Sequence, residues 1–255
     1  MERLGRHGTR LRDLRQRVRE RRPGEVVVDG RRLIADLVRW RVPLPELYVA
    51  TGAIEAAVRE GLVAAAGNAW EVPDGVFHQL APTHSPQGVL AIVGEPEPKE
   101  WAAEGGIAVY LDGVQEPGNV GAIIRSAAAL GAAAVLLSPG CADPFHWSAV
   151  RASAGNALRF PIVRTVSLVP VVSTVHAAGG ETWASGDGGT QLSTWRPRQP
   201  TVLLLGSEGR GLGPESRAMA DGEVTIPLDN DVESLNVAVA AGVLLEWYRR
   251  QRAGV

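Results

Sequence analysis

Five short apolar runs in the second half of the chain decide the architecture. Residues 107–111 (IAVYL), 134–138 (AVLLS), 160–163, 201–205 (TVLLL) and 223–226 (EVTI) read as strands. Helical patterns near 119–130, 146–154, 168–178, 214–220 and 235–251 separate or follow them. A strand with one wet face alternates apolar and polar residues, whereas a strand that is apolar throughout is covered on both faces. Helices between successive strands supply that cover, so the expectation is an α/β fold with a parallel sheet. Ligands of such sheets lie beyond the carboxyl ends of the strands. That points to two loops, 112–121 and 206–213.

The first half is a smaller αβ unit. Residues 30–40 (GRRLIADLVRW) and 53–65 read as helices, and 46–50 (ELYVA) and 89–93 (VLAIV) as strands. The stretch 94–106, rich in Pro, Gly and Glu, reads as a linker. The expected organisation is an arm at 1–22, a domain at 23–98, a connector at 99–106 and a second domain at 107–255. A chain of 255 residues has room for two such domains.

Charge is unevenly distributed. Residues 1–22 carry nine arginines against three acidic residues, so this segment is +6 while the rest of the chain is −8. A flexible basic arm on an acidic body suits a polyanionic partner such as nucleic acid. Lys99 is the only lysine, so arginine fills nearly every cationic role. Cys141 is the only cysteine, which rules out an internal disulfide and multi-cysteine metal sites and fits a reducing cytoplasm. The histidines (7, 78, 84, 146 and 176) show no metal-ligand spacing, so no metal is expected. There is no apolar run long enough to span a membrane, and residues 1–22 lack the apolar stretch of a signal peptide.

The loop Gly206-Ser-Glu-Gly-Arg-Gly-Leu-Gly213 resembles a phosphate-binding loop only in its glycines. Leu212-Gly213 stands where a P-loop needs Lys-Ser/Thr, Pro214 breaks a GxGxxG, and Glu208 would repel a pyrophosphate. It suits a ligand with little phosphate, or a cationic one. In the other loop, Asn119 is placed to cap a helix that Gly131 ends. Gly118, Gly121 and Ala122 leave space on the face that carries Arg125, so that guanidinium can meet a phosphate or carboxylate.

Three segments together carry a resemblance. They are Asn119–Gly131 (NVGAIIRSAAALG), Leu203–Leu212 (LLLGSEGRGL), and Ile226-Pro-Leu followed by Glu233–Ala240 (ESLNVAVA). In this order they resemble the three motifs of the SpoU (TrmH-like) RNA ribose 2′-O-methyltransferases, of the SPOUT class. The segment Val150–Gly155 (VRASAG) is similar to the stretch that follows the family's first motif. Residues 23–98 resemble the small ribosomal-protein-like RNA-binding domain found ahead of many such enzymes.

The resemblance implies a carboxyl-terminal deep trefoil knot, a homodimer and S-adenosylmethionine as cofactor. It assigns Arg125, Asn119, Glu208, Ser234 and Asn236 to catalysis. Arg125 would act at the ribose hydroxyl, Asn119 would orient either Arg125 or the ribose, and Glu208 would either hold Arg125 or sit near the cationic cofactor. Gly206, Ser207, Gly209, Ile226, Pro227, Leu228, Leu235 and Ala238 would surround the cofactor. The amino-terminal likeness favours 23S ribosomal RNA as substrate. The alternatives are a transfer-RNA ribose methyltransferase and a non-catalytic RNA-binding protein on the same scaffold. A nucleotide-dependent oxidoreductase is disfavoured by the missing GxGxxG, and a serine hydrolase by the missing GxSxG.

Overall fold

The computed structural model describes residues 1–5 and 8–253. Arg6 of the basic segment and His7 of the histidine set lie outside the described residues. Contacts divide the chain into two compact units: Met1–Glu97 with Phe145–Leu158, and Pro98–Pro144 with Arg159–Val255.

The first unit runs β1 (Glu2–Arg3), α1 (Thr9–Arg19), β2 (Glu25–Asp29), α2 (Arg31–Arg39), β3 (Leu44–Ala50), α3 (Ile54–Arg59), α4 (Leu62–Ala65), β4 (Ala66–Val72), α5 (Asp74–Leu80) and β5 (Val89–Gly94). Its sheet has the order β1-β4-β3-β5-β2, with β3 parallel to β4 and antiparallel to β5. The helix expected over 53–65 is divided. Gly61, at φ +75°, takes a left-handed turn between α3 and α4. The core is built on Leu11, Leu14, Tyr48, Trp70, Phe77, Leu90 and Ile92. The rings of Tyr48 and Trp70 stack with centroids 5.0 Å apart.

The basic segment is therefore not a flexible arm. Leu11, Leu14 and Val18 recur at helical spacing and pack α1 onto this core. Arg17, only 5% exposed, is bound within the unit. Its Nε donates to Glu25 at 2.7 Å and its two terminal nitrogens to Glu46 at 2.9 and 3.0 Å.

The second unit runs β6 (Ile107–Asp112), α6 (Pro117–Ala129), β7 (Ala134–Leu137), then, beyond α7 (Trp147–Ala152) of the first unit, β8 (Ile162–Val163), α8 (Leu168–Ala177), β9 (Glu181–Gly186), β10 (Thr190–Gln191), β11 (Thr201–Gly206), α9 (Pro214–Ala218), β12 (Gly222–Thr225) and α10 (Val237–Ala253). The sheet is parallel throughout, in the order β10-β12-β9-β11-β6-β7-β8. Its centre is β11, buried from Thr201 to Leu205 between β6 and β9. Within the expected connector, Trp101 and Ala103 pack against this unit's core.

The VRASAG stretch belongs to the first unit. Gly155 has φ +78°, and a Cβ there would come within 2.7 Å of Leu33. Only glycine fits that turn and that approach.

Candidate active site

The site forms where β6 and β11 end side by side, with Gly206 paired to Asp112. After β11 the chain doubles back at once. Ser207 N donates to Gly211 O at 3.1 Å, and Gly211 N to Ser207 O at 2.9 Å. The approach is so close that a Cβ on Gly206 would lie 2.0 Å from the Gly211 carbonyl carbon. Asp112 then fixes the start of α9, accepting from Ser216 Oγ at 2.7 Å and Gly213 N at 3.4 Å.

A second stretch comes from β12. Residues 226–229 leave the sheet without regular structure. Asn230 and Asp231 follow, at φ +59° and +56°. Left-handed backbone is tolerated by Asn and Asp better than by other side chains. The turn leads into α10, which Asn236 caps: its Oδ1 accepts from Ala238 N at 2.9 Å and Val239 N at 3.4 Å.

The third contribution comes from α6. Glu116, not Asn119, caps this helix, accepting from Gly118 N at 3.3 Å. Asn119 sits in the first turn and joins the other two segments. Its Nδ2 donates to Glu208, and its Oδ1 accepts from Asn236 Nδ2 at 3.1 Å. One amide thus ties residue 208 of one motif to residue 236 of another.

Beside this network lies a cavity of about 870 Å³, within the size range of small-molecule sites. Of the expected cofactor residues, Gly206, Ser207, Gly209, Ile226, Pro227, Leu228 and Leu235 line it, as do Glu208, Ser234 and Asn236. Ala238 does not; its backbone N–H is engaged in the α10 cap. Sequence reasoning missed part of the wall, notably Asp187, Gln191, Leu212 and Thr225. The edge strand that carries Gln191 has only two residues and no apolar run to announce it.

The residues present fit S-adenosylmethionine. Leu205, Leu212 and Val237 are buried side chains that give the cavity an apolar wall for a flat ring. Asp187, Glu208 and Glu233 bring carboxylates toward a cation. The one arginine in the lining, Arg217, is paired with Glu223 at 2.7 Å.

Arg125 lies apart. It is exposed on α6, and its guanidinium bonds no other described residue. Within this chain Glu208 accepts from Asn119, and Asn119 is shared with Asn236, so neither bonds Arg125 here. The reason is helical geometry. Six residues leave two side chains about 120° apart around a helix and about 9 Å apart along it, so Asn119 and Arg125 face different directions.

Nearby, burial and the charge of Asp112 push the Tyr110 phenol up to about 12. It stays neutral at physiological pH and donates to Val166 O at 3.1 Å. Among the described residues, no group of three or more potential ligands could hold a metal ion, and no helix is long and apolar enough to cross a membrane.

A two-unit α/β enzyme with its ligand cavity at the ends of parallel strands is the class this geometry defines. Residues 106–246 match the SpoU rRNA Methylase family, and residues 9–91 match the MRM3-like substrate binding domain. The chain belongs to the SpoU family of RNA methyltransferases. It is 34% identical over 238 residues to an uncharacterised tRNA/rRNA methyltransferase of Mycolicibacterium paratuberculosis, which covers 88% of this chain and 77% of that protein. Its fold is similar to that of the AdoMet-bound rRNA methyltransferase of Sinorhizobium meliloti (TM-score 0.81, 28% identity, 98% of both chains). An RNA 2′-O ribose methyltransferase also aligns, at a TM-score of 0.84 and 25% identity, over 98% of this chain and 99% of that one.

Proposed function

We propose that the protein is an S-adenosylmethionine-dependent methyltransferase acting on a ribose 2′-hydroxyl of 23S ribosomal RNA. The observation that carries this reading is the Glu208–Asn119–Asn236 chain of hydrogen bonds at the edge of an acidic, half-apolar cavity. Support for the 2′-hydroxyl comes from the ribose methyltransferase that aligns over nearly the whole chain. Support for ribosomal RNA comes from the Sinorhizobium enzyme, which aligns over both units, including the substrate-binding one. A reducing cytoplasm holding the RNA suits a chain with one cysteine.

The proposal includes a homodimer and a knotted carboxyl terminus. Supporting the dimer, Arg125 is exposed without a partner among the described residues, and Val239 and Val243, one turn apart on α10, are 52% and 37% exposed. In the proposed dimer one copy's Arg125 serves the other copy's cavity. Supporting the knot is the match of residues 106–246 to the SpoU family.

When bound, S-adenosylmethionine supplies an electrophilic methyl group on a sulfonium. The chain's own residues hold the RNA in line with it, and such positioning accounts for much of the rate in a displacement. Glu208 and Glu233 place negative charge at the cavity. Asn119 keeps Glu208 and the start of α10 at a fixed spacing. A guanidinium offers donors and no acceptor, so the hydroxyl proton passes not to Arg125 but to the adjacent phosphate and from there to water. Arg125 binds the phosphate next to the ribose and stabilises the oxygen as negative charge develops.

The test is methylation of deproteinised ribosomal and transfer RNA with methyl-labelled cofactor, followed by mapping of the labelled nucleoside. Label on a ribose of ribosomal RNA is the expected result; label on a base, or in no RNA, overturns the proposal. Arg125→Ala should lower turnover about 10²- to 10³-fold, as loss of one charge-stabilising donor does elsewhere, with cofactor affinity unchanged within twofold. Near-wild-type turnover would remove Arg125 from the mechanism.

A further inference from the structure

Folding of the basic segment divides its arginines into two sets. Arg3 pairs with Glu71, Arg17 with Glu25 and Glu46, Arg21 with Glu95, and Arg22 with Asp13. Arg10 lies over the Trp70 ring at 4.1 Å. These five serve the fold. The guanidinium groups of Arg12, Arg15 and Arg19 bond no described residue, although all three stand on an ordered helix. Their spacing, three and then four residues, sets them along one face of α1.

A cleft of about 340 Å³ opens beside this row, between α1 and α5. Arg15 and Arg19 border it, with Val18, Leu80 and the amide of Gln79. It combines two charged forks, an apolar floor and one group able to donate and accept a hydrogen bond.

We propose that this cleft and its arginine row are a docking site for a single-stranded segment of the RNA substrate. Arg12, Arg15 and Arg19 hold successive phosphates, and an unstacked base rests on Val18 and Leu80. Guanidinium forks match phosphate oxygens in pairs. Proteins that recognise RNA single strands stack splayed bases on aromatic rings or guanidinium planes and read their edges with hydrogen bonds; Arg15 and Arg19 offer such planes beside the Val18 and Leu80 floor. An acidic protein would use the charges but not the floor and the amide. The inference rests on the RNA reading above and adds where the substrate is held.

The test uses the full chain carrying Arg12→Gln, Arg15→Gln and Arg19→Gln together, with Arg59→Gln, an exposed ion-paired arginine of the same unit, as control. Binding of a labelled oligouridylate is followed from 50 to 200 mM salt. Each phosphate neutralised on a single strand contributes about 0.7 to the slope of log affinity against log salt. The triple variant should lose about 2 from that slope, so that the wild type falls roughly 16-fold more than the variant across the range. With ribosomal RNA as substrate, KM should rise several-fold and kcat stay within twofold, while Arg59→Gln changes neither. An unchanged slope, with methylation of RNA intact, overturns the docking site alone. Equal weakening of polyglutamate and oligouridylate binding overturns its assignment to RNA. A wild type that binds RNA through the row but methylates none supports the docking site and refutes the catalytic reading.

Discussion

Replacing Arg17 by Met keeps most of the side-chain volume and removes the charge. The side chain is 6% exposed, whereas its partners Glu46, Glu25 and Asp13 are 23%, 33% and 42% exposed. Removing one member of a fully buried ion pair costs about 3–5 kcal/mol, and of an exposed pair about 0–1 kcal/mol. Here the orphaned carboxylates keep partial access to water, so the expected loss lies between these limits, about 2–3 kcal/mol. Glu46 also accepts from Tyr48 Oη at 2.5 Å, which softens its own loss. Urea unfolding of the full chain, read together with hydrogen exchange in α1 and β3, measures the change. A double-mutant cycle with Glu46→Gln should return a coupling of at least about 1 kcal/mol, in line with contacting, networked residues. A loss under about 0.5 kcal/mol, or no coupling, would show that the apolar stripe alone docks α1.

The same network sets a pH dependence. Burial pushes the Glu46 carboxyl up, but hydrogen bonds from Arg17 and Tyr48 and the Arg17 charge outweigh it, leaving it below its ordinary value. A carboxyl lowered by folding binds fewer protons in the native than in the unfolded chain, so stability rises with pH across the window between the two values. The stabilisation is complete above the unfolded value of about 4.3 and disappears as pH falls through the lower folded one. The gap between wild type and Arg17→Met should hold from pH 6 to 8 and close in acid. A gap that is constant into strong acid would assign the effect to packing.

Two further substitutions probe the site. Gly206→Ala would place a methyl 2.0–2.3 Å from the backbone of Gly211 and Leu212, so it should open the loop and abolish cofactor binding. Gly209→Ala meets nothing within 4 Å and should bind normally; calorimetric titration with S-adenosylmethionine separates them. Asn236→Ala loses both the α10 cap and the bond to Asn119, for about 1–2 kcal/mol by thermal unfolding. Asn236→Asp keeps the cap and loses only the donor, so it should fall between Ala and wild type. An Asn236→Asp variant as stable as wild type would mean that the link to Asn119 contributes nothing.

Much of the fold was legible because burial on both faces leaves a local trace. The central strands β6, β7 and β11 are apolar along their length. Strand β9, with the sequence ETWASG, carries small and polar residues and left no such trace. Strands β2 and β4, and helix α5, were likewise missed in the first unit. The basic segment misled for a different reason. Its leucines have helical spacing, but the arginine content suggested a solvated tail, and Arg17 is neutralised by Glu25 and Glu46, 8 and 29 residues away. Charge counted along a sequence assumes that each charge meets solvent, and folding decides otherwise.

The site shows the same limit at the scale of one helix. The sequence placed Asn119, Glu208 and Asn236 in motifs, and the structure joins them across separations of 89 and 117 residues. The motifs did not show that α6 would bond Asn119 to Glu208 and Asn236 and leave Arg125 exposed outside the cavity lining. The Asn119 and Arg125 side chains stand about 120° apart around the helix, and Arg125 is absent from the cavity lining of its own chain. We propose that, if Arg125 acts in methyl transfer, the pocket it serves belongs to another copy of the chain, so that activity depends on assembly. A mixture of Arg125→Ala chains with Gly206→Ala chains then tests the geometry directly. Each alone is strongly impaired, but a mixed dimer pairs an intact Arg125 with an intact cavity and should regain activity. No recovery on mixing, with exchange of subunits verified, would put the arginine and the cavity in the same chain.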